Sequence, residues 1–366
     1  MIYLDNNAST VLYPEAIDVM AEVLRHNANA GAPHKAGRIA RKRLEDARKS
    51  VGALVGATAE QVIFTSGATE ANNMAIMGGG EALCLVSGME HPSIMKVHPN
   101  TEIIPVNQEG IVDLKWLDNR LQGEAPGTVI VSVLFASHET GVVQPVRKIA
   151  KIVAKNLQRY HLDAVQGAGK CHIDFSTLGV QSISYTAHKI GGAQGIGALV
   201  YDPALNLNPI IRGGGQERSQ RPGTPNISGA VSFEAAANKC LATIEEKAAK
   251  LDALRDKLER EVTARHKQVI IASGTAVRLP GTSRFILPGV SSEKQVMFMD
   301  LNGVCISAGA ACSSGVVKPS QSLLSMGYST QDAESSIRVG MGWKTTEQDI
   351  DGFIEVYSKM IAALVR

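Results

Sequence analysis

The sequence predicts an α/β protein with a second, smaller α+β unit, and three observations carry that prediction. From residue 50 to about 212, short apolar runs bounded by glycines alternate with helical stretches, the pattern of a buried, largely parallel sheet. Beyond Pro225 the texture changes: Ile244, Ala248, Leu251, Leu254, Leu258 and Val262 recur at steps of three and four, one apolar stripe on one long helix. The chain has 366 residues, too many for one small module and enough to bury a large core without staples. The strands are read at Val62–Thr65, leading into SGATEANNMAIM, at Leu83–Ser87, and at 129–134 ahead of the helix-like VRKIAKIVAKNLQRY. They continue at 160–163, Ser182–Thr186 and Gly197–Tyr201; after the long helix come 269–272 (VIIA) and 284–287 (RFIL), then helices to DIDGFIEVYSKMIAALVR. The boundary is placed near residue 245, inside the long helix, which assigns 14–245 to a large domain and 1–13 with 246–366 to a small one.

Composition narrows the classes of function. With 37 basic and 35 acidic residues the net charge is +2, which gives no reason to expect a nucleic-acid partner. Hydrophobic residues at 44% and charged residues at 20% lie in the ordinary globular range and exclude intrinsic disorder. The stretch 34–50 holds seven basic and two acidic residues but no aromatic stacking partners, so it reads as a solvated helix face. The five cysteines (Cys84, Cys171, Cys240, Cys305, Cys312) are odd in number, scattered and without a C-x-x-C pair. That speaks against a disulfide framework and against a structural metal site, and leaves one of them open to be a reactive thiol. The opening MIYLDNNAST lacks the basic start and apolar run of a signal peptide, and no apolar stretch approaches the ~18 residues of a spanning helix. The expected compartment is the cytoplasm.

Three clusters carry candidate chemistry. Ser66-Gly67-Ala68-Thr69-Glu70 follows a strand and opens a helix, where small residues expose N–H groups to an anion; an ordinary capped helix is the plain alternative. Ser184-Tyr185-Thr186-Ala187-His188-Lys189 ends a buried strand on a lysine, whose pKa burial would lower toward that of a Schiff-base nucleophile. A lysine emerging into solvent is the alternative there. Asp163, at the end of the run YHLD and followed by Ala164-Val165-Gln166, sits where α/β sheets place their ligands. A carboxylate at that point is suited to the protonated ring nitrogen of pyridoxal phosphate, although Asp also serves as a helix cap.

The blocks FTSGATEANN, the Glu-His pair ending at His91, ETGVVQP, YHLDAVQGAGK, AHKIGGAQGIGAL, GGGQERSQRPGT, SAGAACSSG and SSIRVGMG occur in this order over essentially the whole chain. In them the chain closely resembles the cysteine desulfurases of the NifS/IscS-like branch of the fold-type I pyridoxal-phosphate-dependent transferases. The resemblance implies a large domain with a mostly parallel mixed sheet and a smaller domain bearing a catalytic cysteine loop. It implies that Lys189 would hold the cofactor and move protons, that Asp163 would pair with the pyridine nitrogen, and that Gln166 would contact the ring oxygen. His91 would stack on the ring as an acid/base; Ala68, Thr69, Thr186 and His188 would hold the phosphate. Thr224 would reach the phosphate of a neighbouring subunit, implying a homodimer. Arg338 would clamp the substrate carboxylate, and Cys312, in a loop of small residues, would take sulfur from L-cysteine as a persulfide and leave L-alanine. Cys305 reads instead as a core cysteine. The destination of the sulfur would be iron–sulfur assembly or thiolation, through an acceptor protein, with no nucleic acid and no membrane involved.

Some positions depart from the family pattern. His138 falls where an asparagine would contact cofactor oxygen and substrate carboxylate, and its charge would depend on pH. Thr186 replaces a serine. The chain stops soon after its last helix, without the tail that some housekeeping members use to dock a scaffold. A selenocysteine lyase or aminotransferase on the same fold is the alternative activity, and a regulatory protein that keeps the fold without catalysis is a further rival.

Overall fold

The computed structural model describes residues 1–26, 28–308 and 318–365. Its strands in chain order are β1 (Ile2–Tyr3), β2 (Val62–Thr65), β3 (Leu83–Ser87), β4 (Thr101–Ile104), β5 (Val129–Ser132), β6 (Arg159–Asp163), β7 (Ser182–Thr186), β8 (Gly197–Tyr201), β9 (Ile270–Ile271), β10 (Thr282–Ile286), β11 (Val304–Cys305) and β12 (Ser336–Gly340). Seven of them form one sheet in the order β2-β8-β7-β6-β5-β3-β4. The pairs from β7 through to β4 are parallel, and β8 runs antiparallel to both β7 and β2. The sheet is therefore mixed and mostly parallel, as the glycine-bounded apolar runs predict. Strands buried along their whole length, such as β2, β5, β7 and β8, explain why those runs show no alternation.

Differences from the sequence reading have local causes. The strand read at 129–134 stops at Ser132, because the Leu134 N–H donates to the Glu90 carboxyl at 2.5 Å instead of joining the ladder. Strands β4 and β12 were not anticipated; β12 lies in the segment read only for its arginine. The basic stretch does form a helix, Lys35–Ala53, but only one side of it is solvated. Ala40, Leu44, Ala47 and Val51 are buried on its inner side, and so is Arg48, 3% exposed and paired with Glu217.

Two separate apolar cores flank the long helix Ile227–Arg265, which at 39 residues spans roughly 58 Å. Its first half buries Phe233, Ala236, Ala237 and Cys240 in the core around the large sheet. Its second half buries Leu251, Leu254, Leu258 and Val262 in a second core with Leu4, Phe285, Ile337, Phe353 and Tyr357. There Phe353 and Tyr357 stack with ring centroids 5.3 Å apart. Asn226 caps the helix by accepting the Gly229 N–H. The second core is roofed by the antiparallel set β12-β10-β9, and the first residues of the chain are laced along it. β1 pairs with β11, and Asp5 bridges to Gly340 at the end of β12. This lacing brings the N-terminal segment Asp5–Ala8, together with β12, to the carboxyl ends of β6 and β7.

Candidate active site

A cleft of about 640 Å³ opens at those strand ends. Its walls include Ala68, Thr69, His91, His138, Asp163, Gln166, Thr186, His188, Lys189 and Arg338, so elements from both cores meet around it. Thr224 is not among them: it lines a different hollow, of about 1050 Å³, with Leu24, His26, Ile39 and Arg43. Cys312 lies outside the described residues; Ser307, at the head of SAGAACSSG, lines the cleft. Cys305 is half-buried on β11 rather than fully in the core.

The phosphate candidates sit where β2 gives way to the helix Ala68–Met77. Gly67 precedes this helix and supplies no side-chain cap, which leaves first-turn N–H groups beside the cleft, the arrangement that attracts an anion. The neighbouring strand comes very close: a Cβ on Gly197 of β8 would stand 2.6 Å from the Gly67 carbonyl carbon, so only glycine fits there. Glu70, in the same first turn, has its carboxylate engaged by Arg221 at 2.7 Å and by the Ser66 N–H. Thr186 Oγ1 donates to the Ile196 carbonyl at 2.9 Å. His188 is held neutral, its pKa lowered to about 4 by burial and then by Lys189.

Lys189 follows β7 and donates from Nζ to the carbonyls of Asn7 at 2.6 Å and Ala8 at 2.8 Å. Burial lowers its pKa to about 8, helped by Arg338 and opposed by Asp5 and Asp163. Roughly a tenth of such amines are unprotonated at pH 7, against well under a thousandth for an ordinary lysine. Asp163, closing β6, accepts from Asn72 Nδ2 at 2.9 Å and from the Val165 N–H at 2.9 Å. Burial raises its pKa, and those two hydrogen bonds oppose the rise. Gln166 Nε2 donates to the Asn7 carbonyl while its Oε1 accepts from Lys170 at 2.7 Å, so the amide end nearest the cleft is the donor.

His91 caps the short helix Pro92–Met95 by accepting the Ser93 N–H on Nδ1, and its ring meets His138 edge-on with centroids 5.6 Å apart. His138 is lowered to about 3, first by burial, against the pull of Glu139. A ring lowered this far is neutral at ordinary pH and would take a proton only in acid. Arg338 is buried and already engaged, donating to Asp5 Oδ1 at 2.7 Å and to the His138 carbonyl at 3.1 Å. Asp5, Asn7 and Asn72 were not singled out from sequence; the polar run LDNNAS and the paired asparagines of TEANN were the signals available.

The sequence profile of the family described as aminotransferase class-V matches residues 2–353. The IscS-like cysteine desulfurase of Mycobacterium tuberculosis is 33% identical over 380 residues, covering 99% of this chain and 96% of that protein. The cysteine desulfurase IscS of Dictyoglomus turgidum is 33% identical over 377 residues, covering 99% and 95%. The X-ray structure of a NifS-like protein from Rickettsia africae superposes with a TM-score of 0.93 at 32% identity, covering 99% of each chain. The chain belongs to the class-V aminotransferase family, on its cysteine desulfurase branch, and has the fold-type I architecture. Members of this family use pyridoxal phosphate. The cleft fits that group: it offers an uncapped helix N-terminus for a phosphate, an amine of lowered pKa, and a buried carboxylate for a ring nitrogen.

Proposed function

We propose that the protein is a pyridoxal-phosphate-dependent cysteine desulfurase that converts L-cysteine to L-alanine and keeps the sulfur as a persulfide on Cys312. The observation that carries this reading is the meeting of Lys189, Asp163 and Arg338 in one cleft whose wall includes Ser307, the first residue of the cysteine segment. Ala68, Thr69, Thr186 and His188 would hold the phosphate, Gln166 would donate to the ring oxygen, and Asp163 would pair with the ring nitrogen. When bound, the cofactor supplies an electron sink next to the substrate Cα. Lys189 would attach it covalently, and once displaced by substrate would carry the proton removed from Cα. His91 would face the ring, and Arg338 would receive the substrate carboxylate, sharing its guanidinium with Asp5. His138 would contribute a neutral hydrogen-bonding ring beside that carboxylate. The Cys312 thiolate would then attack the substrate sulfur. The carbon–sulfur bond breaks with its electron pair left on carbon, which is protonated to alanine, and the new S–S bond stays on Cys312.

The same reading divides the chain into units 14–245 and 1–13 with 246–366, with the cleft between them. It includes a homodimer: Thr224 lies in a hollow rimmed by exposed Leu24 and Ile39, surface suited to a second copy that would bring this threonine to the neighbouring site. It also includes a cytoplasmic location and a sulfur-acceptor protein that relieves Cys312 of its persulfide. Among the described residues no helix is long and apolar enough to cross a membrane. The test is Cys312→Ser. The variant should keep the visible absorption of the bound cofactor and lose sulfide release; undiminished cysteine turnover would reject Cys312 as the nucleophile.

A further inference from the structure

One buried asparagine reaches the carboxylate of the cleft directly and its imidazole through Ser93. Asn72, on the helix Ala68–Met77, is fully buried, and every hydrogen-bonding position of its amide is engaged. Its Nδ2 donates to Asp163 Oδ2 at 2.9 Å and to Ser93 Oγ at 3.0 Å. Its Oδ1 meets His161 Nε2 at 3.0 Å and the Ser184 hydroxyl in a very short contact. An amide carries two hydrogens on nitrogen and two lone pairs on oxygen, so this set closes in one orientation only. The flipped amide would turn its oxygen onto the Asp163 carboxylate, acceptor against acceptor.

The hydrogens can be followed outward from that orientation. With Oδ1 as acceptor, His161 must carry its hydrogen on Nε2. Its Nδ1 then accepts from the Ser182 hydroxyl at 2.8 Å. His161 is fully buried on β6, and burial lowers its pKa to about 3, so one ring nitrogen holds one hydrogen. On the other branch, Ser93 Oγ accepts from Asn72 and lies 2.9 Å from His91 Nδ1. The Ser93 backbone N–H donates to the same nitrogen at 3.1 Å. A ring nitrogen that accepts an N–H has no hydrogen of its own, so neutral His91 keeps its hydrogen on Nε2.

We propose that Asn72 is a positioning residue for both cleft groups: it presents N–H to Asp163, and by holding the Ser93 hydroxyl it keeps Ser93 seated on His91 Nδ1, so that His91 exchanges protons through Nε2. The proposal rests on the reading of Asp163 and His91 as neighbours of the cofactor, and it adds a residue to which the sequence motifs assign no role. Asp163, Lys189 and His138 are the other titrating groups that face His91.

The experiment reads ring hydrogens without turnover. Cofactor-loaded protein labelled with ring-¹⁵N histidine is recorded in two-bond ¹H–¹⁵N spectra at mildly alkaline pH, with His91 and His161 assigned by their loss in His91→Gln and His161→Gln. Both should show the Nε2–H pattern, and a Nδ1–H pattern at either would overturn the proposal. In Asn72→Ala, His161 loses its acceptor and should move to an averaged pattern. The pH titration of the cofactor's visible band should shift in the same variant, because Asp163 has lost a donor. An unchanged His161 pattern with an unchanged titration would reject Asn72 as the branch point. Should Asn72→Ala fail to fold, Ser93→Ala cuts one branch alone: His91 signals should move and His161 signals stay, and the reverse result would refute the connection. Because nothing here depends on sulfur release, a protein without desulfurase activity would leave the hydrogen pattern to stand or fall by itself.

Discussion

Arg48 and Lys189 are two basic side chains drawn away from solvent, and the withdrawal has opposite results. Beneath the helix Lys35–Ala53, Arg48 is saturated: Nη1 and Nη2 grip Glu217 at 2.6 and 2.8 Å, Nη1 also donates to the Val62 carbonyl, and Nε reaches Glu45 at 3.2 Å. The Phe64 ring lies 4.9 Å from the guanidinium, and the Phe64 N–H donates to Glu217, so the partner is satisfied too. Burial pulls the Arg48 pKa down, but Glu217 and Glu45 together outweigh it and the pKa rises. In the cleft, Lys189 donates to two carbonyls, and among the described residues no carboxylate lies within ion-pair distance of it. Burial then prevails and lowers the lysine to about 8. The difference lies in the partner. A buried cation given a matched anion becomes part of the architecture, whereas one given only dipoles is left ready to lose its proton.

Mutations can break each half of that comparison. Lys189→Ala should have the largest effect: the visible band of the bound cofactor disappears and desulfurase turnover falls by about 10³-fold or more, read by absorbance and alanine formation. Folding should be unimpaired, since a desolvated charge is removed. A variant that keeps both band and turnover would place the reactive amine elsewhere. Arg48→Met should act the other way. It strands the Glu217 carboxylate in the core and should lower stability by about 3–5 kcal/mol in urea unfolding. Turnover per folded molecule should hold. Replacing Arg48 and Glu217 together by apolar residues should recover most of the loss, because the penalty comes from the unpaired partner rather than from the absence of the pair.

Legibility in sequence followed the same division. The buried strands and the amphipathic long helix were readable because they impose a periodicity on side chains over many positions. Lys189, Asp163, His91 and the helix start at Ala68 could be marked because each stands at a strand end or helix start within a specific block. What could not be read was contact across sequence distance. Asp5 meets Arg338 only because β1 lies beside β11 and Asp5 bridges to Gly340. Asn72 reaches Asp163 and Ser93 only because its helix packs behind β6 and β7. The basic run 34–50 misled for a related reason: its charge count hides an inner stripe of Ala40, Leu44, Ala47 and Val51, on which Arg48 is carried inward to Glu217.

His138 supplies the smallest and sharpest test, because it is a largely buried base with, among the described residues, no full partner. Its Nε2 lies 3.8 Å from Glu139 Oε1, and that carboxylate is already engaged by the Ser320 and Ser322 hydroxyls. Burial lowers the ring from its ordinary 6.5 to about 3. Between those values the unfolded chain binds a proton that the folded chain refuses, so stability falls as pH drops through that window. Above about pH 6.5 both states are neutral at this site and it contributes no slope. Urea unfolding of wild type and His138→Asn at pH 7.5 and 5 should therefore diverge only at the lower value, with the asparagine variant retaining up to about 2 kcal/mol more of its stability. The acid limb of turnover should stay where it is, since a ring that titrates near 3 cannot set it. A limb that moved on replacing His138, with no change in the stability slope, would mean that Glu139 holds the imidazole charged, and His138 would then belong with Arg48 rather than with Lys189.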